Sequence, residues 1–226
     1  MNKIIQGDAI ENMRLLEDKS IDLLITDPPY QFISNSSHGG GFMTKENKKH
    51  FDNIKQSFGL KYDPEKLLNE AKRVLKKMNM YIFTNKNLLL EYLKFARDNK
   101  YSFDILLWLK SNPVPVNNHH YLTDKEYIFF MRESGSVFNS KLGYENYFTY
   151  FSHPIGRKGK VTKHPTEKPI NPIRKMIQIS SNENDIVLDP YVGSGTVCVA
   201  AKELGRRYIG IENNEEYIKM AEERLK

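Results

Sequence analysis

Short apolar runs alternate with stretches of helical periodicity along most of this chain. No other feature constrains the fold as tightly, because runs of this kind are buried best as central strands with helices packed over them. Ile21-Asp22-Leu23-Leu24-Ile25-Thr26 reads as a buried strand that stops at Asp27-Pro28. Asp63 then caps a helix with Pro64 at its first position, and Leu67, Leu68, Ala71, Val74 and Leu75 fall on one face. Tyr81–Thr84 is expected as a strand, Leu88–Ala96 as a helix, and Phe103–Leu109 and Tyr127–Met131 as strands. Pro172–Ile179 reads as helical and Asp185–Leu188 as a strand, and a glycine-rich turn leads into a helix ending near Gly205. Arg207–Ile211 is another strand, and a last helix is expected from Asn213, with Glu216 three residues on as a capping-box acid. The alternation predicts an α/β protein with a doubly wound, mostly parallel sheet.

Two stretches break the pattern. Residues 31–60 hold Gly39-Gly40-Gly41 and a lysine-rich patch, which predicts a long mobile loop. Residues 134–165 are aromatic and then basic, with Phe138, Tyr144, Tyr147, Phe148, Tyr150 and Phe151 followed by Arg157, Lys158, Lys160 and Lys163. With 226 residues the chain is long enough for one substantial core plus a small insertion. No apolar run reaches the roughly 18 residues of a membrane span, and the first residues show no signal-peptide core, so a cytoplasmic location is expected. Cys198 is the only cysteine, so no internal disulfide is possible, and no metal site is expected. A net charge of +6 suits a polyanionic partner, although a lysine-rich proteome would give the same balance.

Asp27-Pro28-Pro29-Tyr30 stands at the carboxyl end of an expected parallel strand, where ligands bind in open α/β sheets. The prolines fix φ and bias the residues before them toward extended geometry. The segment thus gathers a carboxylate, a rigid carbonyl and an aromatic face. An exocyclic base amine has two N–H donors and a lone pair delocalised into the ring. The Asp27 carboxylate and the Pro28 carbonyl are suited to accept both hydrogens and localise that lone pair. Tyr30 is suited to stack on a base that has left its helix, an interaction worth about 1–3 kcal/mol. A proline turn ending a structural strand is the plainer account.

The second chemical segment is Asp189-Pro190-Tyr191-Val192-Gly193-Ser194-Gly195-Thr196, a strand, a tight turn and a helix start. Glycines let backbone approach a ligand, and a helix N-terminus offers N–H groups to a carboxylate or phosphate. Glu212 closes the next strand, where an acid can accept both ribose hydroxyls. The nicotinamide fingerprint fails, because Cys198 occupies its third glycine position. No Walker lysine follows Gly195.

Taken together and in this order, the two motifs resemble the β-class DNA amino-methyltransferases, which make N6-methyladenine or N4-methylcytosine. The resemblance covers nearly the whole chain. It implies a circularly permuted, seven-stranded methyltransferase sheet forming a single domain over 1–226, with 134–165 as a small target-recognition insertion. It also implies S-adenosylmethionine as cofactor, DNA as partner, and allows a homodimer. Gly7-Asp8-Ala9 looks like the N-terminal cofactor contact, with Asp8 near the adenine. His164-Pro165-Thr166-Glu167-Lys168-Pro169 resembles the motif beside the methionine part, which brings in Lys168. By the same resemblance Asp189 approaches the methionine amine, Tyr191 stands where many members have Phe, the Gly193–Thr196 turn meets the carboxylate, and Glu212 with Asn213 meets the ribose. Trp108-Leu109-Lys110-Ser111-Asn112-Pro113 resembles a segment lining the base pocket, so Trp108, Lys110 and Asn112 join the expected DNA contacts with Arg157, Lys158 and Lys160. Asp before Pro-Pro-Tyr favours adenine. N4 of cytosine, the same chemistry on RNA, and a non-catalytic DNA-binding module of this fold are the alternatives.

Overall fold

A computed structural model describes residues 2–29, 62–115, 119, 121–155, 161–162, 164 and 167–226. The 31–60 loop, Tyr30 and the basic residues Arg157, Lys158 and Lys160 lie outside the described residues.

Eight strands form one sheet: β1 (Lys3–Gln6), β2 (Leu23–Thr26), β3 (Asn79–Thr84), β4 (Ser102–Lys110), β5 (Lys125–Arg132), β6 (Tyr150–His153), β7 (Ile186–Asp189) and β8 (Arg207–Glu212). Their order is β1-β8-β7-β2-β3-β5-β4-β6. β5 runs antiparallel to both of its neighbours, and every other pairing is parallel. The sheet therefore has eight strands where seven are expected. The additional one is β6, from within the aromatic segment, which pairs with β4 from Leu107↔Tyr150 to Lys110↔His153. Part of the presumed insertion is thus built into the sheet.

Among the described residues six α-helices cover the sheet: α1 (Ala9–Arg14), α2 (Pro64–Val74), α3 (Leu89–Asp98), α4 (Ile170–Ser180), α5 (Thr196–Glu203) and α6 (Glu215–Arg224). The central strands bury both faces, so successive residues feed opposite cores. Leu24, Met80, Ile82, Phe129 and Met131 pack with Met13 of α1, Leu67, Leu68, Ala71 and Val74 of α2, and Tyr92 and Ala96 of α3. Their neighbours Leu23, Ile25, Tyr81, Phe83, Ile128 and Phe130 pack with Ile173, Met176 and Ile177 of α4, Val197, Ala200 and Ala201 of α5, and Ala221 of α6. Each such side chain contributes about 1.5–3 kcal/mol when fully buried, so neither face can be left bare.

Asp63 caps α2 as expected, its carboxylate accepting from Glu65 N–H and Lys66 N–H. The last helix begins one residue later than expected. Asn214, not Asn213, is its cap, accepting from Glu216 N–H and Tyr217 N–H. Glu216 consequently sits at the second helical position and cannot close a capping box. No helix among the described residues is long and apolar enough to cross a membrane.

The connections leaving β2 and β7 diverge. After β2 the chain reaches α2 on one face, and after β7 it enters α5 on the other. These neighbouring strands pair through Leu24↔Leu188, so a crevice opens at their carboxyl ends.

Candidate active site

Asp27 and Asp189 meet at that crevice. Thr26 donates its hydroxyl to Asp189 Oδ1 at 2.9 Å, which joins the ends of β2 and β7. The Tyr191 N–H bonds the same oxygen at 3.1 Å. Burial pushes the Asp189 carboxyl up to about 7 even though these two hydrogen bonds favour its charged form, and the nearby charges of Asp27 and Glu212 push the same way. A buried acid of this kind gains most from a cationic ligand.

The glycine turn that follows leaves little room. Gly193 and Gly195 have φ of +51° and +82°, a region that side chains rarely adopt. A Cβ on Gly195 would lie 2.7 Å from the Ala221 Cβ, so α6 packs directly against the turn. Glu212 accepts from Gly193 N–H at 2.9 Å and from the N–H groups of Asn213 and Asn214 at 3.0 and 2.9 Å. Its carboxylate thus shapes the turn as well as facing the crevice. Ser194 and Thr196 are buried and face inward. Arg224, from α6, donates to the Ser194 carbonyl at 2.7 Å and to the hydroxyls of Ser194 and Thr196 at 3.2 and 3.1 Å. Their side chains therefore brace the turn, and since the Gly193 and Gly195 N–H groups are taken by Glu212 and the Val192 carbonyl, a ligand would meet the N–H groups at the start of α5.

Asp8, at the end of β1, caps α1 by accepting from Glu11 N–H at 2.9 Å, while Ala9 is buried in the helix start. Tyr191 meets Tyr62 edge-on with ring centroids 6.3 Å apart, and the Tyr62 and Tyr92 hydroxyls are 2.9 Å apart. Asp8, Glu212, Asp189 and Asp27 hence follow one another along the carboxyl ends of β1, β8, β7 and β2.

On the other side of Asp27 stands Lys168, just before α4. Its ammonium bonds Asp27 Oδ2 and lies 5.3 Å from the centroid of the Phe83 ring. Asp27 Oδ1 is buried and, among the described residues, has no hydrogen-bond partner. Burial raises the Asp27 pKa above the ordinary carboxylate value, with Lys168 opposing and Glu126 adding to the rise. Burial would lower the Lys168 pKa, but the two acids beside it hold it above the usual lysine value. One oxygen of Asp27 is anchored, and the other is an acceptor awaiting a donor.

The segment carrying Lys168 is itself pinned. Glu167 is buried and accepts from the N–H groups of Val161 and Thr162 at 3.0 and 2.8 Å and from the Thr162 hydroxyl. Burial alone would raise its pKa, but these bonds hold it below the usual value.

Three of the expected DNA contacts lie on β4 or just beyond it. Lys110 is 11% exposed at its side chain and pairs with Glu126 Oε1 at 3.3 Å, so it is spent inside the protein. Trp108 is buried, donates its indole N–H to the His153 carbonyl at 2.9 Å and stacks on Phe151. Asn112 exchanges two hydrogen bonds with the Ile155 backbone, at 2.9 and 2.6 Å. All three residues fasten β6 and its exit to the sheet rim or neutralise a buried acid. Glu126, Arg224 and Thr26 are the site residues that sequence reasoning missed. Thr26 adjoins Asp27 and was visible by position, whereas Glu126 and Arg224 carry no local signal.

Comparison with known proteins agrees with this geometry. The family model described as DNA methylase, of the N6/N4 methyltransferase type, matches residues 21–223. The chain is 33% identical over 242 residues to the type II methyltransferase M2.LlaDCHI of Lactococcus lactis subsp. cremoris, covering 98% of this chain and 88% of the relative. It is likewise 33% identical over 243 residues to M2.DpnII of Streptococcus pneumoniae, with the same coverage. Among solved structures, the M1.HpyAVI–SAM complex superposes with a TM-score of 0.71 at 31% identity, covering 100% of this chain and 99% of the other. The cytosine-N4-specific PvuII methyltransferase has a TM-score of 0.73 at 14% identity, which is a likeness of fold.

Proposed function

This chain belongs to the N6/N4 DNA methylase family, and from that membership we propose that it methylates the exocyclic amine of a base in DNA, N6 of adenine, using S-adenosylmethionine. The observation that carries the reading is the divided Asp27 carboxylate, with Oδ2 bound by Lys168 and Oδ1 buried and without a partner among the described residues.

The residues at the crevice fit the cofactor's groups. Asp189, whose carboxyl is raised by burial, suits an ammonium, the N-terminus of α5 suits a carboxylate, and Glu212 suits ribose hydroxyls. Bound there, the cofactor supplies a sulfonium methyl group. Asp27 Oδ1 accepts one amine hydrogen and the Pro28 carbonyl the other, which turns the nitrogen lone pair out of the ring plane. Lys168 fixes the carboxylate rotamer, so little reorganisation is needed at the moment of reaction. Tyr30 stacks on the flipped base, and Arg157, Lys158 and Lys160 contact phosphates. The segment around 134–165, with β6 tying it to the sheet, forms the small target-recognition part of a single domain. Adenine is favoured by the Asp that opens the Asp27–Tyr30 motif.

The test uses mixed DNA and RNA incubated with protein and cofactor, digested to nucleosides and read by mass spectrometry. N6-methyladenine from DNA is expected. Asp27→Ala should lower the rate by at least about 100-fold, the scale of one lost preorganised group, while calorimetry shows cofactor binding unchanged. A fully active Asp27→Ala protein would sink the mechanism, and N4-methylcytosine or methylated RNA would redirect the substrate.

A further inference from the structure

Lys168 has acids on two sides. Beyond its bond to Asp27, its Nζ lies 3.6 Å from Glu126 Oε2. Glu126 sits on β5, facing Trp108 of β4 in register. Its Oε1 is 3.3 Å from Lys110, while its Oε2 is buried and makes no hydrogen bond among the described residues. A row of alternating charge thus runs Asp27, Lys168, Glu126, Lys110, and all four side chains are at most 22% exposed. Glu126, on β5, lies outside the motifs that define the site.

We propose that Glu126 is a positioning residue for the reaction: it draws part of the Lys168 ammonium's attraction away from Asp27, so that Asp27 keeps a fixed rotamer and remains a strong acceptor for the base amine. The inference rests on the function proposed above. An ammonium bound to one carboxylate alone withdraws electron density from it and weakens it as an acceptor. An ammonium shared with a second carboxylate does so less. Glu126 is too distant to take Lys168 over, because 3.6 Å exceeds a hydrogen bond whereas the Asp27 contact is one. The arrangement therefore holds Asp27 and tempers the hold.

The charge balance gives the proposal a signature that packing alone would not. Among the described residues, Asp27 is faced by Lys168 before α4, Glu126 on β5, Asp189 at the end of β7 and Tyr92 on α3. Glu126 is faced by Lys168 and by Lys110 on β4. The negative charge of Glu126 makes Asp27 hold a proton more tightly. Glu126→Gln removes that charge, so the Asp27 titration moves to lower pH. Lys110→Gln leaves the Glu126 charge uncompensated, so the titration moves to higher pH.

The experiment follows the Asp27 carboxyl by 13C NMR in the cofactor-free protein, assigned with Asp27→Asn, alongside the pH profile of kcat on DNA. The expected result is a lower Asp27 midpoint in Glu126→Gln, a higher one in Lys110→Gln, and acid limbs of kcat that move with them. At neutral pH the Glu126→Gln kcat should fall about tenfold, equivalent to about 1.4 kcal/mol in the barrier, with KM for the cofactor unchanged. A midpoint equal to wild type in either folded variant overturns the proposal. So does an equal fall in kcat at every pH with no movement of the limb, which is what a merely structural role predicts. If the wild-type protein methylated no nucleoside, the functional reading would fail, while the NMR midpoints would still decide whether Glu126 acts on Asp27.

Discussion

Asp189→Asn should make the protein more stable at pH 8 while weakening cofactor binding. The wild-type carboxyl, 3% exposed, titrates near 7 instead of near 3.8. The folded state thus holds this proton more tightly than the unfolded chain, and between those values it binds more protons. Stability from this group is fully present below about pH 3.8 and is lost as pH rises toward 7. A rise of about three pH units, at about 1.4 kcal/mol each, means that ionised Asp189 costs about 4 kcal/mol, an upper figure since local relaxation softens it. Asparagine keeps an acceptor for the Thr26 hydroxyl and Tyr191 N–H and carries no charge. The assay is urea unfolding of both proteins at pH 4.5 and pH 8. The variant's advantage should be about 2–4 kcal/mol at pH 8 and should shrink toward zero at pH 4.5. Cofactor affinity, measured by calorimetry, should rise with pH up to about 7 in the wild type, because binding a cation requires the proton to leave. Asparagine should flatten that dependence. An advantage equal at both pH values, or none at pH 8, would refute the view that burial of this carboxylate is what the fold tolerates for the sake of the site.

Two further substitutions test the glycine turn. Gly195→Ala puts a Cβ at 2.7 Å from the Ala221 Cβ on backbone with φ of +82°. The strain of about 1–2 kcal/mol and overpacking of about 1–3 kcal/mol should lower Tm by about 4–20 °C in thermal unfolding. Arg224→Met removes the donor to Ser194 and Thr196. A loss of about 1.5–3 kcal/mol in stability and a cofactor affinity several-fold weaker by calorimetry are expected, and unchanged affinity would show that the turn holds its shape unaided.

The central strands were legible because a run such as Leu23–Thr26, buried on both faces, has few other places to go. The end strands were harder. β1 is four residues long and only half-buried, and β6 alternates exposed and half-buried residues within a segment whose aromatic content suggests a surface patch. What makes Tyr150–His153 a strand is the edge of β4 beside it, a partner about 45 residues away in sequence. The chemical residues Asp27 and Asp189 were legible because proline and glycine flank them with a geometry of their own. Glu126 and Lys110 were not. A lysine and a glutamate on neighbouring strands look like surface charge until the register sets them together beside Lys168. Lys110 was read as a DNA contact from the resemblance of Trp108–Pro113 to a base-pocket segment, and its pairing with Glu126 shows only in the fold.

The pairing of β2 with β7 has a consequence for how the protein is made. Leu23 pairs with Val187, and Lys3 with Ile209, so strands made early pair with strands made much later. A ribosome adding about 5–20 residues per second needs roughly 10–30 s to travel from β2 to β7. During that interval Leu23-Leu24-Ile25-Thr26 has no strand on its β7 side. An apolar edge left open for that long is an invitation to other nascent chains. High expression, slow translation or loss of β7 should therefore show up as aggregation before it shows up as altered chemistry. The same order keeps Asp27 from meeting Asp189 and Glu212 until β7 and β8 have been made.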